Sequence, residues 1–122
     1  MKTTALVGVV LAITLGLVGC TVIHKNVEHV DMAKVGQIID LRSDDAWVLG
    51  HLQGAKNYDS AGAEFQAAIR LIPRDQIIVL YGKDANQVET VIVNLVQRGY
   101  TRLINAGSLE QAASATGLEV VF

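Results

Sequence analysis

The strongest constraint on the fold is an alternation of short apolar runs with helical patterns along residues 27–122. The runs at residues 37–41, 54–58, 76–81, 101–105 and 118–122 predict strands. The run at 76–81, "QIIVLY", is apolar enough to predict a strand buried on both faces. Strands that alternate with helices indicate an α/β domain. We therefore predict three layers: a central, mostly parallel five-stranded sheet with helices on both faces.

Helix signals fill the gaps between these runs. Ser43 is a candidate N-cap, and residues 60–72 carry apolar side chains at helical spacing up to Pro73. Residues 88–96 repeat that spacing before Gly99, where a helix is expected to end. Ser108, with Gln111 three residues later, has the pattern of a capping box.

The N-terminus has the layout of a secretory signal. Lys2 is followed by an uncharged stretch at residues 3–23, and "LVGC" closes its apolar part with Cys20. This motif resembles the bacterial lipobox. It predicts a signal peptide at 1–19, palmitate-type acylation of Cys20, and a short tether at 20–26 before the domain at 27–122. Two alternatives remain: an uncleaved membrane-spanning helix, which takes about 20 residues, and an ordinary cleaved signal.

The lipoprotein and the uncleaved anchor both place the domain at a membrane, outside the cytoplasm. Thr21 stands where Gram-negative lipoproteins retained in the inner membrane commonly carry aspartate. The absence of aspartate at this position resembles lipoproteins that are sorted to the outer membrane, and it predicts a domain that faces the periplasm. The tether reaches at most about 20 Å, so the domain is expected close to the lipid surface.

Composition excludes several kinds of site. The single cysteine rules out an intramolecular disulfide, and the three histidines lack the spacing of metal ligands. The net charge of −2 gives no basic footprint for nucleic acid. We predict no metal and no cofactor.

Two separated motifs resemble the rhodanese (sulfurtransferase) family, and in particular its single-domain periplasmic, phage-shock type. The first, "IIDLRSDDAWVLGHLQGAKNY" at residues 38–58, matches the family signature at these positions: Asp40, Arg42, Gly50, His51, Gly54, Ala55 and Asn57. The second, "QIIVLYGKDANQVETVIVNLVQRGYTRLINAGSLEQA" at 76–112, matches its second half. The resemblance implies a rhodanese-like fold, structural roles for Asp40, Arg42, His51 and Gly54, and core packing for Trp47.

The family carries its sulfur-accepting cysteine at the first position of the loop after the second motif's strand. Here that position is Gly82, followed by Lys83, Asp84, Ala85, Asn86 and Gln87, with Gln87 in place of the closing arginine. No persulfide is expected on this degenerate loop. Gly82 could open room for an anion or be a relic, and we interpret Asn86 as a helix cap.

Three functions are compatible with this sequence. The favoured one is an inactive rhodanese-like lipoprotein that binds an envelope protein or a small anion. The second is an enzyme related to sulfurtransferases that relies on the thiol of a partner protein. The third is a purely structural envelope lipoprotein.

Overall fold

The structure, a computed structural model, describes residues 29–122. The predicted signal peptide, Cys20 and the tether lie outside the described residues, as do the first two residues of the predicted domain. Within the described range, no helix is both long and apolar enough to cross a membrane.

The described chain alternates strands and helices after a short 3-10 turn at Met32–Lys34. In chain order the elements are β1 (Val35–Asp40), α1 (Asp44–Val48), β2 (His51–Leu52), β3 (Lys56–Asn57), α2 (Ala63–Ile69), β4 (Ile77–Tyr81), α3 (Ala85–Gln97), β5 (Leu103–Asn105), α4 (Leu109–Thr116) and β6 (Val120–Val121).

The main sheet has the strand order β3-β1-β4-β5, and every neighbouring pair in it is parallel. This confirms the predicted α/β class. The sheet has four strands rather than five, because β6 pairs antiparallel with β2 in a separate two-stranded sheet. Leu52 is buried in the same apolar core as Val79 and Tyr81 of β4, and Gln53 N donates to Glu119 O beside the β2–β6 pair at 2.9 Å.

Helices cover both faces of the main sheet, as predicted. On one face, Ile78 and Leu80 of β4 pack against apolar side chains of α2 and α3. On the other face, Val79 and Tyr81 pack against α4 and β2. Successive residues of β4 alternate between two apolar cores, which explains why this run is apolar throughout.

Helix bounds differ from the prediction in two places. The helix predicted at 60–72 is shorter, Ala63–Ile69, because it starts after Gly62 and its last three residues form turns. The N-cap of α3 is Asp84. The prediction that Asn86 caps this helix was wrong. The Asp84 side chain accepts a hydrogen bond from Gln87 N at 2.9 Å, whereas Asn86 is exposed within the first turn.

The caps of α1 and α4 follow the prediction. Ser43 accepts a hydrogen bond from Ala46 N, and Ser108 forms the predicted capping box with Gln111. Gly117 ends α4 in the left-handed conformation, at φ 75°. Parallel strands put their carboxyl ends at one edge, so the loops after Asp40, Tyr81 and Asn105 lie together.

Candidate functional site

The loop after β4 begins with the buried Gly82. Its N–H donates to Gly107 O at 2.9 Å, which joins this loop to the one after β5. Gly82 has no positive φ, so its backbone conformation is open to any residue. Two residues later, Asp84 caps α3. The sequence therefore builds a strand–loop–helix turn that begins at Gly82.

That space is filled by the Gln87 side chain. Gln87 Oε1 accepts a hydrogen bond from Lys83 N at 2.7 Å, and Gln87 Nε2 donates to Leu41 O at 3.3 Å. A Cβ atom added to Gly82 would lie 2.3 Å from Gln87 Oε1 and 3.2 Å from its Cδ. The room left by the missing side chain is thus occupied from within the domain.

An open cleft of about 390 Å³ adjoins this loop. Its lining consists of Ser60, Lys83, Asp84, Asn86, Gln87, Thr90 and Val91. Lys83, Asp84 and Asn86 are exposed, whereas Ala85 is half-buried under the loop. The sequence did not indicate Ser60 or Thr90 as site residues, because they come from the segment before α2 and the second turn of α3. The lining offers hydroxyl, amide and charged groups but no thiol or imidazole.

The residues of the first motif form a second cluster at the end of β1. Asp40 is completely buried and accepts Arg42 Nη2 at 2.7 Å and Arg42 N at 2.8 Å. The same Nη2 donates to Gly50 O at 2.6 Å. Asn57 Nδ2 donates to Asp40 O and Arg42 O, at 3.1 and 2.9 Å. This network ties the segments at Gly50 and Asn57 to the carboxyl end of β1.

His51 and Gly54 do not line the cleft beside the Gly82 loop. His51 is half-buried, its Nδ1 lies 3.0 Å from Trp47 O, and its ring stacks on Trp47 with centroids 3.4 Å apart. Trp47 is likewise half-buried, so the prediction that it packs in the core was wrong. It sits on α1, at the surface, against His51. Gly54 is exposed with φ 89°, a conformation that favours glycine.

A profile of the rhodanese-like domain family matches residues 24–114, most of the chain. The chain belongs to the rhodanese-like domain family. No curated protein matches it.

Solved rhodanese-like structures share the fold of this domain. A rhodanese from E. coli, whose structure was solved with anions, is 25% identical, with a TM-score of 0.59, over 70% of this chain and 95% of that one. A rhodanese-like domain from Anabaena sp. is 19% identical, with a TM-score of 0.58, over 70% of this chain and 98% of that one. A Staphylococcus saprophyticus protein is 19% identical, with a TM-score of 0.55, over 68% and 80%.

Tyr81 of this rhodanese-like domain directly precedes the Gly82 loop and packs beside the Asp40–Arg42 network. Its hydroxyl accepts Leu52 N at 2.9 Å, and its ring lies 5.6 Å from the Arg42 guanidinium carbon. Burial raises the pKa of Tyr81 well above its usual value, and the nearby Asp40 adds to this rise. Hydrogen bonding to Asp40 raises the pKa of Arg42. Both groups therefore keep their protons: the Arg42 guanidinium donates to Asp40 and Gly50 O, and the Tyr81 hydroxyl accepts from Leu52 N.

Titratable side chains in residues 29–122 do not form a metal site. No group of three or more histidine or acidic side chains in this range could hold a metal ion.

Proposed function

We propose that this rhodanese-like domain has no sulfurtransferase activity and acts as a protein-binding module, held at a cell-envelope membrane by lipid on Cys20. The observation that carries the proposal is the Gln87 carboxamide, which fills the space above Gly82. By resemblance, this is where the family keeps its sulfur-accepting cysteine. Residues 21–122 contain no cysteine, so the domain has no thiol on which a persulfide could form.

Gln87 also argues against a small anion as the ligand. An anion held by this loop would need the Lys83 N–H, and that donor is already bonded to Gln87 Oε1 at 2.7 Å. An anion would have to break this hydrogen bond within the domain before it could bind the Lys83 N–H. The E. coli rhodanese was solved with anions, and we expect this chain to bind them more weakly.

The open cleft favours a protein partner instead. Ser60, Asn86 and Thr90 line it with groups that can both donate and accept hydrogen bonds, and Lys83 and Asp84 carry opposite charges. Such a rim suits the neutral amides of a polypeptide better than a concentrated negative charge. The cleft lies at the carboxyl edge of the sheet, where this layer architecture usually binds ligands.

Sulfur transfer from thiosulfate to cyanide tests the first half of the proposal. Residues 21–122 should form thiocyanate at the background rate, since the reaction requires a thiolate to accept the sulfane sulfur. The E. coli rhodanese is the positive control. Thiocyanate formation above background by the purified fragment, without an added thiol protein, would refute the claim of inactivity.

Anion binding tests the choice of ligand. Thiosulfate titrated into the wild-type chain should give no calorimetric signal, whereas Gln87→Ala frees the Lys83 amide and should bind it detectably. Gln97→Ala, at the exposed end of α3, is the matched control. Equal binding by the wild type and Gln87→Ala would show that the carboxamide does not block the loop.

Acylation tests the membrane anchor. Wild-type cells fed labelled palmitate should produce labelled protein in the membrane fraction, and Cys20→Ala should leave an unlabelled precursor. Each buried methylene of an acyl chain contributes about 0.8 kcal/mol, so several chains would hold the domain stably. Unlabelled wild-type protein would refute lipid anchoring and leave the inactive domain unaffected.

A further inference from the structure

Five basic residues lie at the end of the sheet opposite the Gly82 loop. They are Lys34, Arg70, Arg74, Arg98 and Arg102, and we call this surface the basic end. Lys34 directly precedes β1, and Arg74 and Arg102 lie just before β4 and β5. Arg70 and Arg98 are the C-caps of α2 and α3. Because the strands are parallel, these positions share one edge of the fold.

Contacts confirm that these residues are neighbours. Arg74 Nε donates to Arg98 O at 3.0 Å, and Ile78 N donates to Arg102 O at 3.0 Å. Val35, next to Lys34, is in register with Ile77 at the start of β4. Arg70 Nε and Arg98 Nη1 both donate to Gln66, at 3.3 and 2.7 Å, so the basic end is one continuous surface.

The cations of the basic end have no acidic partner. In residues 29–122 the one ion pair joins Asp40 and Arg42, at the other end of the sheet. The guanidinium groups of Arg74 and Arg98 instead bond to neutral groups, Tyr100 Oη at 3.2 Å and Gln66 Oε1 at 2.7 Å. Lys34, Arg70, Arg74 and Arg102 are exposed. Their charge is available to an outside partner.

The charge distribution is strongly one-sided. Asp31 and Asp75 are the acidic residues that flank the basic end, which leaves it a net charge of about +3. Residues 29–122 as a whole contain eight Lys and Arg against eleven Asp and Glu. A domain with a net negative charge and one basic end turns its basic end toward a negatively charged surface.

The chain enters the domain at this same end. Val30 is buried and its N–H donates to Ala115 O at 2.8 Å, near the C-terminal end of α4. Nine residue-to-residue steps separate Cys20 from His29, and they can span at most about 30 Å. A lipid on Cys20 would therefore hold the basic end near the membrane surface.

We propose that the basic end rests on the headgroups of anionic phospholipids, with the Gly82 loop and its cleft facing away from the membrane. The inference rests on the proposed acylation of Cys20 and specifies how the anchored domain is oriented. Basic residues close to an anionic surface are attracted over about one Debye length, which is about 10 Å at 0.1 M salt. The cleft is thereby presented to a protein partner in solution.

The test uses the full mature chain purified from membranes and reconstituted into phosphatidylcholine vesicles with or without phosphatidylglycerol. Amide hydrogen exchange at residues 29–35, 70–76 and 99–102 should slow only with phosphatidylglycerol. The slowing should disappear at about 1 M salt, where the Debye length is about 3 Å. Exchange in the loop at 82–87 should stay the same in both kinds of vesicle.

Two charge-matched double variants sharpen the test. Lys34→Gln with Arg102→Gln should weaken the protection about 30-fold, since each basic residue near an anionic surface contributes about fivefold. Lys56→Gln with Lys83→Gln removes the same charge elsewhere and should preserve it. Equal effects of the two variants, or protection in phosphatidylcholine alone, would refute the oriented contact.

Flotation of the same samples separates this inference from the anchor. Acylated protein that floats without protection at the basic end refutes the orientation and leaves the anchor standing. Protein without acyl label that still floats with phosphatidylglycerol at low salt supports the basic end and refutes the anchor. Protein that neither carries label nor floats refutes both.

Discussion

Gly82→Cys tests whether Gln87 fills the degenerate loop. The new Cβ would lie 2.3 Å from Gln87 Oε1, closer than such contacts occur, so the carboxamide must leave. It would give up its bonds to Lys83 N and Leu41 O, each contributing about 0.5–1.5 kcal/mol. The backbone of Gly82 adds no penalty, because its φ is not positive. We expect the free energy of unfolding to fall by about 1–3 kcal/mol.

Gln87→Ala removes the same two hydrogen bonds and should cost a similar amount. The two substitutions together should therefore cost less than their sum, by about 1 kcal/mol or more. Urea unfolding followed by Trp47 fluorescence measures each free energy. Gln97→Ala is the control, and its cost should add to that of Gly82→Cys. Additivity of Gly82→Cys and Gln87→Ala to within about 0.5 kcal/mol would refute the proposed filling.

Three further predictions concern the scaffold. Arg42→Ala leaves the buried Asp40 carboxylate unpaired and should lower the free energy of unfolding by about 3–5 kcal/mol in urea titrations; a loss under about 1 kcal/mol would contradict it. Because burial raises the pKa of Tyr81, the folded state keeps its proton above pH about 10 while the unfolded chain loses it. Stability should then fall by about 1.4 kcal/mol per pH unit above about pH 10, with a smaller fall in Tyr81→Phe; identical alkaline slopes would contradict this. Ile92→Ala, in the core under α3, should cost about 2–5 kcal/mol, whereas the exposed Val93→Ala should stay within about 0.5 kcal/mol in thermal melts.

Most of the helices and strands could be predicted from local sequence patterns. The apolar run of β4 and the apolar stripe of α3 lie within one stretch of chain, so periodicity alone predicts them. The capping box of Ser108 and Gln111 is equally local. Local sequence could not decide between Asp84 and Asn86 as the N-cap of α3, because both side chains can cap a helix. The position at which β4 ends decides where α3 starts.

Long-range contacts were outside the reach of sequence patterns. The pairing of β6 with β2 joins segments about seventy residues apart, and it removed the fifth strand from the main sheet. Likewise, the bond from Gln87 to Leu41 O crosses from α3 to the end of β1. The sequence located the degenerate loop but could not show that a side chain of the loop itself fills it.

The Asp40–Arg42 network has an evolutionary consequence. Arg42 donates to the Asp40 carboxylate and to Gly50 O, and Asn57 Nδ2 donates to Asp40 O and Arg42 O. None of these bonds reaches the space above Gly82. Selection for a stable fold would maintain these residues in a lineage that has abandoned sulfur chemistry. Finding these residues in a protein sequence therefore indicates common ancestry and a shared fold. Whether such a descendant still turns over substrate has to be judged from the loop after β4.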